Sequence, residues 1–545
     1  MLPKIIGRGA LFHQLLTPVG DSLPLSFLVA AIPIAVVLVL LGILRRPAWQ
    51  ASGAGLVVAF ALATLVWQMP AGIALSATVN GMVFAIWPVM WIVVNALLLY
   101  NVAVAAGRFD AFRDWVIEHL PNDRRVVLVV IGFCFGALLE GISGFGTPIA
   151  ITSALLILVG FEPIEALTYT LIFNTAPVAF GALGAPVTVL GQVTGLSDVT
   201  LGAMIGRQLP FFGVLLPFYV MFVYSGRRSV AALWPVLLVA GVSFALSQFA
   251  ASNLIDYRLT DVLASLGSLV VTIGFLQVWK PVPDPAFAMV RPALMGAVGT
   301  RGRVPSWQGW LPWIIVAATV IVWTSLKIPD IGALKFAWPG LHNAVFITLY
   351  DKAYGAIYTF QPLAGGTAIL VATIITALVV RLPMGDVFTC AARTLRQTYI
   401  AIITVALIVG LAYLMNYSGM TYTLGKAVAS VGVIFPLVSA FLGWVAVFLS
   451  GSDTSGNALF GNLQAVAANQ LGLNPVLIAA TNSSGGVMGK MISPQNIATG
   501  VSVTDLKGQE GVVFARTFKH SVILTLLLGV LVVIQQYVTP WMIPG

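Results

Sequence analysis

The chain has 545 residues, of which 59% are hydrophobic and only 8% are charged. Soluble globular domains are about one quarter charged, so this composition excludes an ordinary soluble fold and predicts an integral membrane protein. The formal net charge is +9. Because the basic residues lie in short loops between apolar segments, they indicate cytoplasmic membrane loops and argue against nucleic-acid binding.

Apolar segments of transmembrane length recur from residues 25–44 to residues 520–538. Several of them are interrupted by glycine or proline, and we predict roughly eleven to fourteen crossings. All of them belong to a single predicted membrane domain, residues 1–545. Cys134 and Cys390 lie in or beside apolar segments, so a disulfide framework is not expected.

The basic residues also predict the orientation of the chain, since cytoplasmic loops carry an excess of lysine and arginine. The segments predicted to be cytoplasmic are 45–46, 107–125, 227–228, 280–308 and 381–396. The segments predicted to be external are 73–77, 328–362 and 416–425. This pattern places the N-terminus outside.

Two pairs of motifs recur in the same order, about 310 residues apart. The sequence LLEGISGFGTP (138–148) matches FLSGSDTSGNA (448–458), and NTAPVAFGALGAP (174–186) matches NSSGGVMGKMISP (482–494). The helix before the first motif enters from the predicted cytoplasmic side, whereas the helix before its counterpart enters from outside. The two halves are therefore predicted to have opposite orientations in the membrane.

The predicted fold is an all-α polytopic membrane protein with two inverted-topology repeats, re-entrant hairpins and broken transmembrane helices. The repeats cover residues 77–228 and 388–540, and residues 229–387 supply additional spans and the linker 280–308. Non-helical backbone survives at membrane depth only where it is buried in protein or lines a cavity. Broken segments at matching positions of inverted repeats point to the substrate site of a secondary transporter.

Three ionisable residues stand out in this apolar context. Glu140 ends an apolar span and is a functional candidate by position; the alternative is a helix-end carboxylate that pairs with a structural arginine. Asp453 is predicted to be a proton carrier, a partner for a lysine or a capping residue. Lys490, among glycines and a proline, is predicted to strengthen an anion site, or else to serve as the counter-ion of Asp453.

Polar residues near the same motifs are the other candidates for substrate binding. Arg207 follows the first broken segment and is either a substrate ligand or an interfacial anchor. The hydroxyl and amide candidates, which can bind a hydroxyl or a carboxylate group, are Ser143, Asn174, Thr175, Ser452, Asn482, Ser483 and Ser484. No cluster of histidine and cysteine indicates a transition metal, and no cofactor is predicted.

Long motifs around these residues resemble the bacterial lactate permease family. They are GFCFGALLEGISGFGTPIAIT (132–152), NTAPVAFGALGAPVTVLGQVTG (174–195), GRQLPF (206–211), FLSGSDTSGNALFGNLQ (448–464) and GGVMGKMISPQNIA (485–498). The resemblance implies a multi-pass protein of the inner membrane that takes up L-lactate, often also D-lactate and glycolate, with protons. The paired hairpins also look like those of the wider ion-transporter superfamily.

The residues and the resemblance together predict a symporter of small 2-hydroxymonocarboxylates. Lys490 and hairpin amides are expected to hold the carboxylate, the Asn, Ser and Thr groups the 2-hydroxyl, and Glu140 or Asp453 the proton. The alternatives are a Na⁺-coupled carrier of another small carboxylate and an intramembrane enzyme. An enzyme would form product in detergent without any gradient, whereas a carrier only moves its substrate between compartments.

Overall fold

Lipid offers backbone groups no hydrogen-bond partner, so apolar segments of this length must fold as helices, and the structure confirms it. A computed structural model describes residues 11–44, 46–142, 144, 146–289, 304–504, 506 and 508–545. Its α-helices are Leu23–Gly42, Ala48–Leu65, Ala71–Phe84, Trp91–Ala105, Arg108–Glu118, Arg124–Val127, Gly136–Ile142, Thr147–Leu158, Pro163–Phe173, Gly181–Thr194, Asp198–Ile205, Leu209–Ala250, Thr260–Val278, Leu311–Ser325, Gly365–Val379, Met384–Ser418, Met420–Val428, Phe435–Ser450, Asp453–Gln470, Pro475–Lys490, Pro494–Val503 and Glu510–Tyr537.

Tighter and wider helical turns connect or continue these helices. The π-helical segments are Ala85–Met90, Leu128–Phe135 and Ala251–Ile255. The 3-10 segments are Val178–Phe180, Tyr257–Leu259, Pro285–Phe287, Ser306–Trp310, Ile328–Asp330, Ala429–Ile434 and Pro540–Met542.

Within the described residues, ten helices are long and apolar enough to cross a membrane, or up to eleven with one bent pair. This meets only the lower limit of the predicted eleven to fourteen. One reason is Leu209–Ala250, whose 42 residues form a single helical run although about 20 residues suffice for one crossing. Gly226 breaks the run with φ 76° and ψ −174°. A Cβ on Gly213 would lie 3.1 Å from the Phe244 ring, so the two halves pack together as a hairpin.

Two of the predicted external loops are helical instead. Residues 73–77 lie inside Ala71–Phe84. In 416–425, one helix ends and the next begins at Gly419, whose φ is 101°. The Gln14 side chain donates to the Asn416 and Tyr417 carbonyls at 2.9 and 3.0 Å. It thereby satisfies carbonyls that a helix end leaves without partners, so no loop is needed there.

A small β-structure at one end of the helices was not predicted from the sequence. Phe12–His13 pairs in parallel with Val345–Ile347, which pairs antiparallel with Lys352–Ala353. Leu334–Ala337 pairs antiparallel with Ile357–Phe360. All five strands lie near the N-terminus or in 328–362, the regions predicted to be external.

Two of the segments predicted to be cytoplasmic also lie together. Arg124 donates to the Gly160 and Ala286 carbonyls at 2.6 and 3.0 Å, and Ser306 donates to Glu118 at 3.2 Å. These contacts join 107–125 to the described parts of 280–308. The predicted orientation requires 107–125 and 280–308 to lie on one side of the membrane, and these contacts agree with it.

Candidate transport site

Residues 124–158 form a helical hairpin, here called the first hairpin. Its first arm is wholly buried inside the protein. Gly144 and Gly146 at the tip have φ of 54° and 84°, a left-handed conformation that glycine adopts without strain. A Cβ on Gly144 would lie 3.3 Å from the Ala182 Cβ, and one on Gly146 would lie 3.0 Å from Thr499. The tip therefore contacts two distant parts of the chain.

Residues 163–194 form the first broken helix, whose two parts are bent by 66°. At the break, Ala182, Leu183 and Gly184 all have positive φ, at 45°, 54° and 77°. A left-handed conformation costs about 1–2 kcal/mol for each residue other than glycine. Such strain persists only where the surrounding structure imposes it, and it is commonest at functional sites. The surrounding structure therefore imposes the break in this helix.

The second half contains the equivalent pair of elements. Residues 435–470 form the second hairpin, which turns at Gly451 with φ 70°. Residues 475–503 form the second broken helix, whose first part ends at Lys490. The sequence separation that joins Asn174 to Asn482 also joins Ala182 to Lys490. The lysine therefore stands at the position that corresponds to the left-handed break in the first half.

Glycines let the second hairpin and the second broken helix pack in close contact. A Cβ on Gly485 would lie 2.2 Å from the Ala440 carbonyl, and one on Gly489 would lie 2.3 Å from the Trp444 carbonyl. Close approach of backbones through small residues is the usual means of helix association in membranes. Because Gly489 directly precedes Lys490, this contact also fixes where the lysine emerges from its helix.

The second tip is attached to the second break by hydrogen bonds and close packing. Asn496 donates to the Gly451 carbonyl at 3.0 Å, and a Cβ on Gly451 would lie 2.8 Å from the Ser493 hydroxyl. Since the first tip contacts Ala182 and Thr499, both hairpin tips contact broken helices.

At this meeting point Lys490 and Glu140 form a buried ion pair. The Lys490 Nζ lies 2.6 Å from Glu140 Oε1, and the two side chains are 7% and 3% exposed. Asn174 donates from Nδ2 to Glu140 Oε2 at 3.0 Å. A Cβ on Gly181 would lie 2.8 Å from Glu140 Oε1, so glycine leaves room for the carboxylate. The lysine therefore pairs with Glu140, not with Asp453, and Glu140 does not pair with an arginine.

Asp453 has different partners. Its Oδ2 accepts hydrogen bonds from the Ser483 hydroxyl at 2.5 Å and from Asn457 Nδ2 at 3.3 Å. It lies in the first turn of Asp453–Gln470, where a negative charge is favourable to the helix dipole. Its Oδ1 is buried without a hydrogen-bond partner among the described residues. The local role in the helix and a role towards a ligand are both compatible with this geometry.

Several other candidates use their polar groups inside the protein. Asn482 accepts from Gln464 at 2.7 Å and donates to Asn457 at 2.9 Å. Ser484 donates to Gln208 at 2.7 Å, and Thr175 donates to a backbone carbonyl of its own segment at 2.5 Å. The Asn482 and Ser484 contacts hold the second broken helix against its neighbours, whereas the Thr175 contact lies within the first broken helix.

The remaining candidates are not brought into the ion-pair cluster. Arg207 donates to Asn253 at 2.8 Å and to the Met542 carbonyl at 2.9 Å, contacts that suit an anchor. Ser452 is the N-cap of the helix after it and accepts from the Ser455 N–H at 3.3 Å. Ser143 lies outside the described residues.

Two further residues at the site were missed from the sequence. Asp261 is fully buried at the start of Thr260–Val278, and a Cβ on Gly141 would lie 2.6 Å from its Cβ. The Ser493 hydroxyl is buried at the second break without a partner among the described residues. An ionisable residue in an apolar span was the signal that identified Glu140, and the same signal applies to Asp261.

A cavity of about 810 Å³ lies between the β-structure and the first broken helix. It reaches Thr188 on that helix, and its tyrosines are Tyr350, Tyr354, Tyr358, Tyr413, Tyr417 and Tyr422. Burial raises the pKa of Tyr354 to about 12, so its phenol stays neutral and can donate or accept hydrogen bonds. We call this cavity the vestibule.

Known proteins resemble the chain over nearly its whole length. The family model described as L-lactate permease matches residues 26–539. The glycolate permease GlcA of Escherichia coli K12 is 41% identical over 96% of this chain and 98% of its own. The L-lactate permease of Salmonella typhimurium is 40% identical over 98% of this chain and 100% of its own. The YdaH transporter of Alcanivorax borkumensis, a solved structure, has a TM-score of 0.46 and 16% identity over 86% of this chain and 89% of its own.

The family match and the apolar helices lead to one conclusion. The relatives are named permeases, which move substrates across membranes and do not convert them. The described residues include ten helices suited to crossing a bilayer. The chain therefore belongs to the L-lactate permease family, as a multi-pass transporter of the bacterial inner membrane.

Proposed function

We propose that the protein takes up L-lactate and related small 2-hydroxymonocarboxylates, including D-lactate and glycolate, by symport with protons. Its relatives at about 40% identity are named for L-lactate and glycolate. These two anions share a carboxylate and a neighbouring hydroxyl group. A site for both needs a positive group for the carboxylate and a hydrogen-bond partner for the hydroxyl.

The buried pair of Lys490 and Glu140 is the observation that carries the proposal. The Lys490 ammonium has three donor hydrogens, and Glu140 is its side-chain partner within the described part of the chain. A substrate carboxylate resembles the Glu140 carboxylate in shape and charge. We infer that the substrate takes the place of Glu140 on Lys490.

Charge balance then couples the substrate to a proton. One lysine between two ionised carboxylates leaves a buried negative charge without a partner, which is strongly unfavourable. If Glu140 is protonated, it releases Lys490, and the lysine can pair with lactate alone. The site is neutral with Glu140 ionised and no substrate, and again neutral with Glu140 protonated and lactate bound. Only in these two states does the site change readily from facing one side of the membrane to facing the other.

The 2-hydroxyl group requires a second contact. Asn174 donates to Glu140 from its nitrogen, while its Oδ1 is buried without a partner among the described residues. We assign this oxygen to the substrate hydroxyl, and the Ser493 hydroxyl to the substrate carboxylate.

The test is uptake of labelled L-lactate into proteoliposomes, with pH and Na⁺ gradients imposed separately. We expect accumulation when the inside is alkaline, no accumulation with a Na⁺ gradient alone, and competition by glycolate. Accumulation driven by Na⁺ alone would assign the protein to the Na⁺-coupled carriers. Lack of L-lactate and glycolate transport by protein that is folded in the vesicles would contradict the proposed substrate class.

A further inference from the structure

Asp261 is a buried acid for which the mechanism above gives no role. It is 1% exposed, in the first turn of Thr260–Val278. Both of its carboxyl oxygens are buried, and neither has a hydrogen-bond partner among the described residues. Buried polar groups almost always have such a partner, so this side chain requires an explanation.

Its position places it next to the ion pair. The Asp261 Cβ packs so closely on Gly141 that a Cβ there would lie 2.6 Å away, and Gly141 directly follows Glu140. The charged side chains that act on Asp261 are Glu140 and Lys490. Asp261 therefore belongs to the same electrostatic cluster.

The other elements packed on this helix bring no counter-ion to Asp261. Gly181–Thr194 and Leu311–Ser325 contain no charged residue. Leu209–Ala250 contains only Arg227 and Arg228, exposed at its turn. Arg258, three residues before Asp261, is paired with Asp198 and Asp256, with N–O distances of 3.4 Å to each.

These contacts decide the protonation state of Asp261. An ionised carboxylate with no partner is strongly unfavourable at this depth, and ionised Glu140 adds repulsion between like charges. Lys490 offsets this only in part, because it is already paired with Glu140 at 2.6 Å. The surroundings of Asp261 therefore favour its neutral, protonated form.

We propose that Asp261 holds a proton while Glu140 binds Lys490 and passes that proton to Glu140 when lactate takes over the lysine. In this step the O–H bond of the Asp261 carboxyl breaks, and an O–H bond forms on Glu140. Asp261 then recovers a proton from solvent, so one proton enters for each lactate. The inference rests on the proposed function, because it concerns the same site.

The segment that precedes Asp261 adjoins the vestibule. Tyr257, four positions before Asp261, donates from its hydroxyl to Asp198 at 2.7 Å and contacts the Thr188 hydroxyl at 2.9 Å. Asp198 and Thr188 both line the vestibule. Because the segment that carries Asp261 begins at the wall of the vestibule, we assign the vestibule as the side from which Asp261 recovers its proton.

A spectroscopic test does not depend on transport. Infrared spectra of the purified protein at neutral pH should contain a carbonyl stretch of a protonated carboxylic acid, and Asp261→Asn should lose that contribution. The control Asp110→Asn, which removes an acid that is 59% exposed, should leave it unchanged. An unchanged band in Asp261→Asn would overturn the inference. If Asp261→Asn cannot be purified, Asp261→Glu replaces it. A carbonyl band at the wild-type frequency in Asp261→Glu would then overturn the inference.

A transport test follows in proteoliposomes. Asp261→Asn, which mimics the neutral acid, should keep the exchange of internal for external lactate and lose accumulation driven by a pH gradient. Asp261→Glu should recover accumulation. Accumulation by Asp261→Asn at the wild-type level would overturn the inference. Failure of the wild type to transport lactate, with the infrared band of Asp261 present, would instead refute the proposed function alone.

Discussion

The Lys490 ammonium lies 2.6 Å from a carboxylate oxygen of Glu140, although the two residues are 350 positions apart. One comes from the second broken helix and the other from the first hairpin, so the pair joins the two halves of the protein. Breaking a buried ion pair by removal of one partner leaves a charge without compensation. The pair therefore contributes to the docking of the halves, and it lies at the proposed anion site.

Lys490→Ala should weaken lactate binding. The loss of one charge-assisted hydrogen bond costs about 1.5–3 kcal/mol, which corresponds to a ten- to hundredfold change in affinity. The measurement is calorimetric titration of lactate into purified protein that elutes as a single folded species. Lys519→Ala is the matched control, because Lys519 is exposed. This variant should bind lactate as the wild type does. Equal affinity in the wild type and Lys490→Ala would exclude the lysine from the anion site.

Glu140→Gln should separate binding from coupling. Glutamine mimics the protonated acid and does not compete for Lys490, so lactate should bind at least as tightly as in the wild type. Exchange of internal for external lactate should persist, while accumulation driven by a pH gradient should be lost. Both activities can be measured with labelled lactate in the same vesicles. If Glu140→Gln still accumulates lactate in a pH gradient, Glu140 is not the coupling residue.

Asp453→Asn is the companion variant, because it removes the other acid predicted from the sequence. Asp453 accepts from Ser483 and Asn457 and is not the hydrogen-bond partner of Lys490. We therefore expect Asp453→Asn to keep accumulation driven by a pH gradient. Loss of accumulation together with intact exchange would transfer the coupling role from Glu140 to Asp453.

Much of this site could be predicted from the sequence, because its residue types differ from those of the apolar segments around it. Glu140, Lys490 and the glycine-rich segments were identified because charges and helix breakers are unfavourable in lipid. The alternative partner considered for Lys490 was Asp453, which is close in sequence and in the same half, and the partner in the structure is Glu140 instead. Only the docking of the first hairpin on the second broken helix brings Glu140 within 2.6 Å.

Other features depend on contacts that no local pattern contains. Asp261 lies outside both predicted repeats, and its importance appears only when Gly141 packs against it. The strands of the β-structure are two to four residues long, too short for alternation of polar and apolar residues to be recognised. The loop predicted at 416–425 is absent because Gln14, 402 positions from Asn416, caps the helix there.

Gly489→Ala should destabilise the protein. The new Cβ would lie 2.3 Å from the Trp444 carbonyl, and forcing extra atoms into a packed contact costs about 1–3 kcal/mol. Thermal unfolding in detergent should shift to lower temperature, with reduced lactate binding because Lys490 follows directly. Gly274→Ala is the control, since it lies in a helix with no atom within 4 Å of a new Cβ. A wild-type unfolding temperature for Gly489→Ala would contradict the close packing.

Cysteine labelling in sealed cells tests the orientation. A membrane-impermeant thiol reagent should modify Lys335→Cys in the β-structure and spare Asp110→Cys, and both residues are exposed. The native Cys134 and Cys390 are buried and should give little background. Equal labelling of both sites in intact cells would contradict the predicted orientation and the inverted arrangement derived from it.

Proton uptake on lactate binding is the most direct test of the exchange at Lys490. Purified protein in weakly buffered detergent, with a pH indicator, should take up protons from solution when lactate is added. Because binding and protonation are linked, lactate affinity should then rise as the pH falls. Glu140→Gln should bind lactate without proton uptake and with little dependence on pH. Lactate binding by the wild type without proton uptake, or equal proton uptake by Glu140→Gln, would contradict the mechanism.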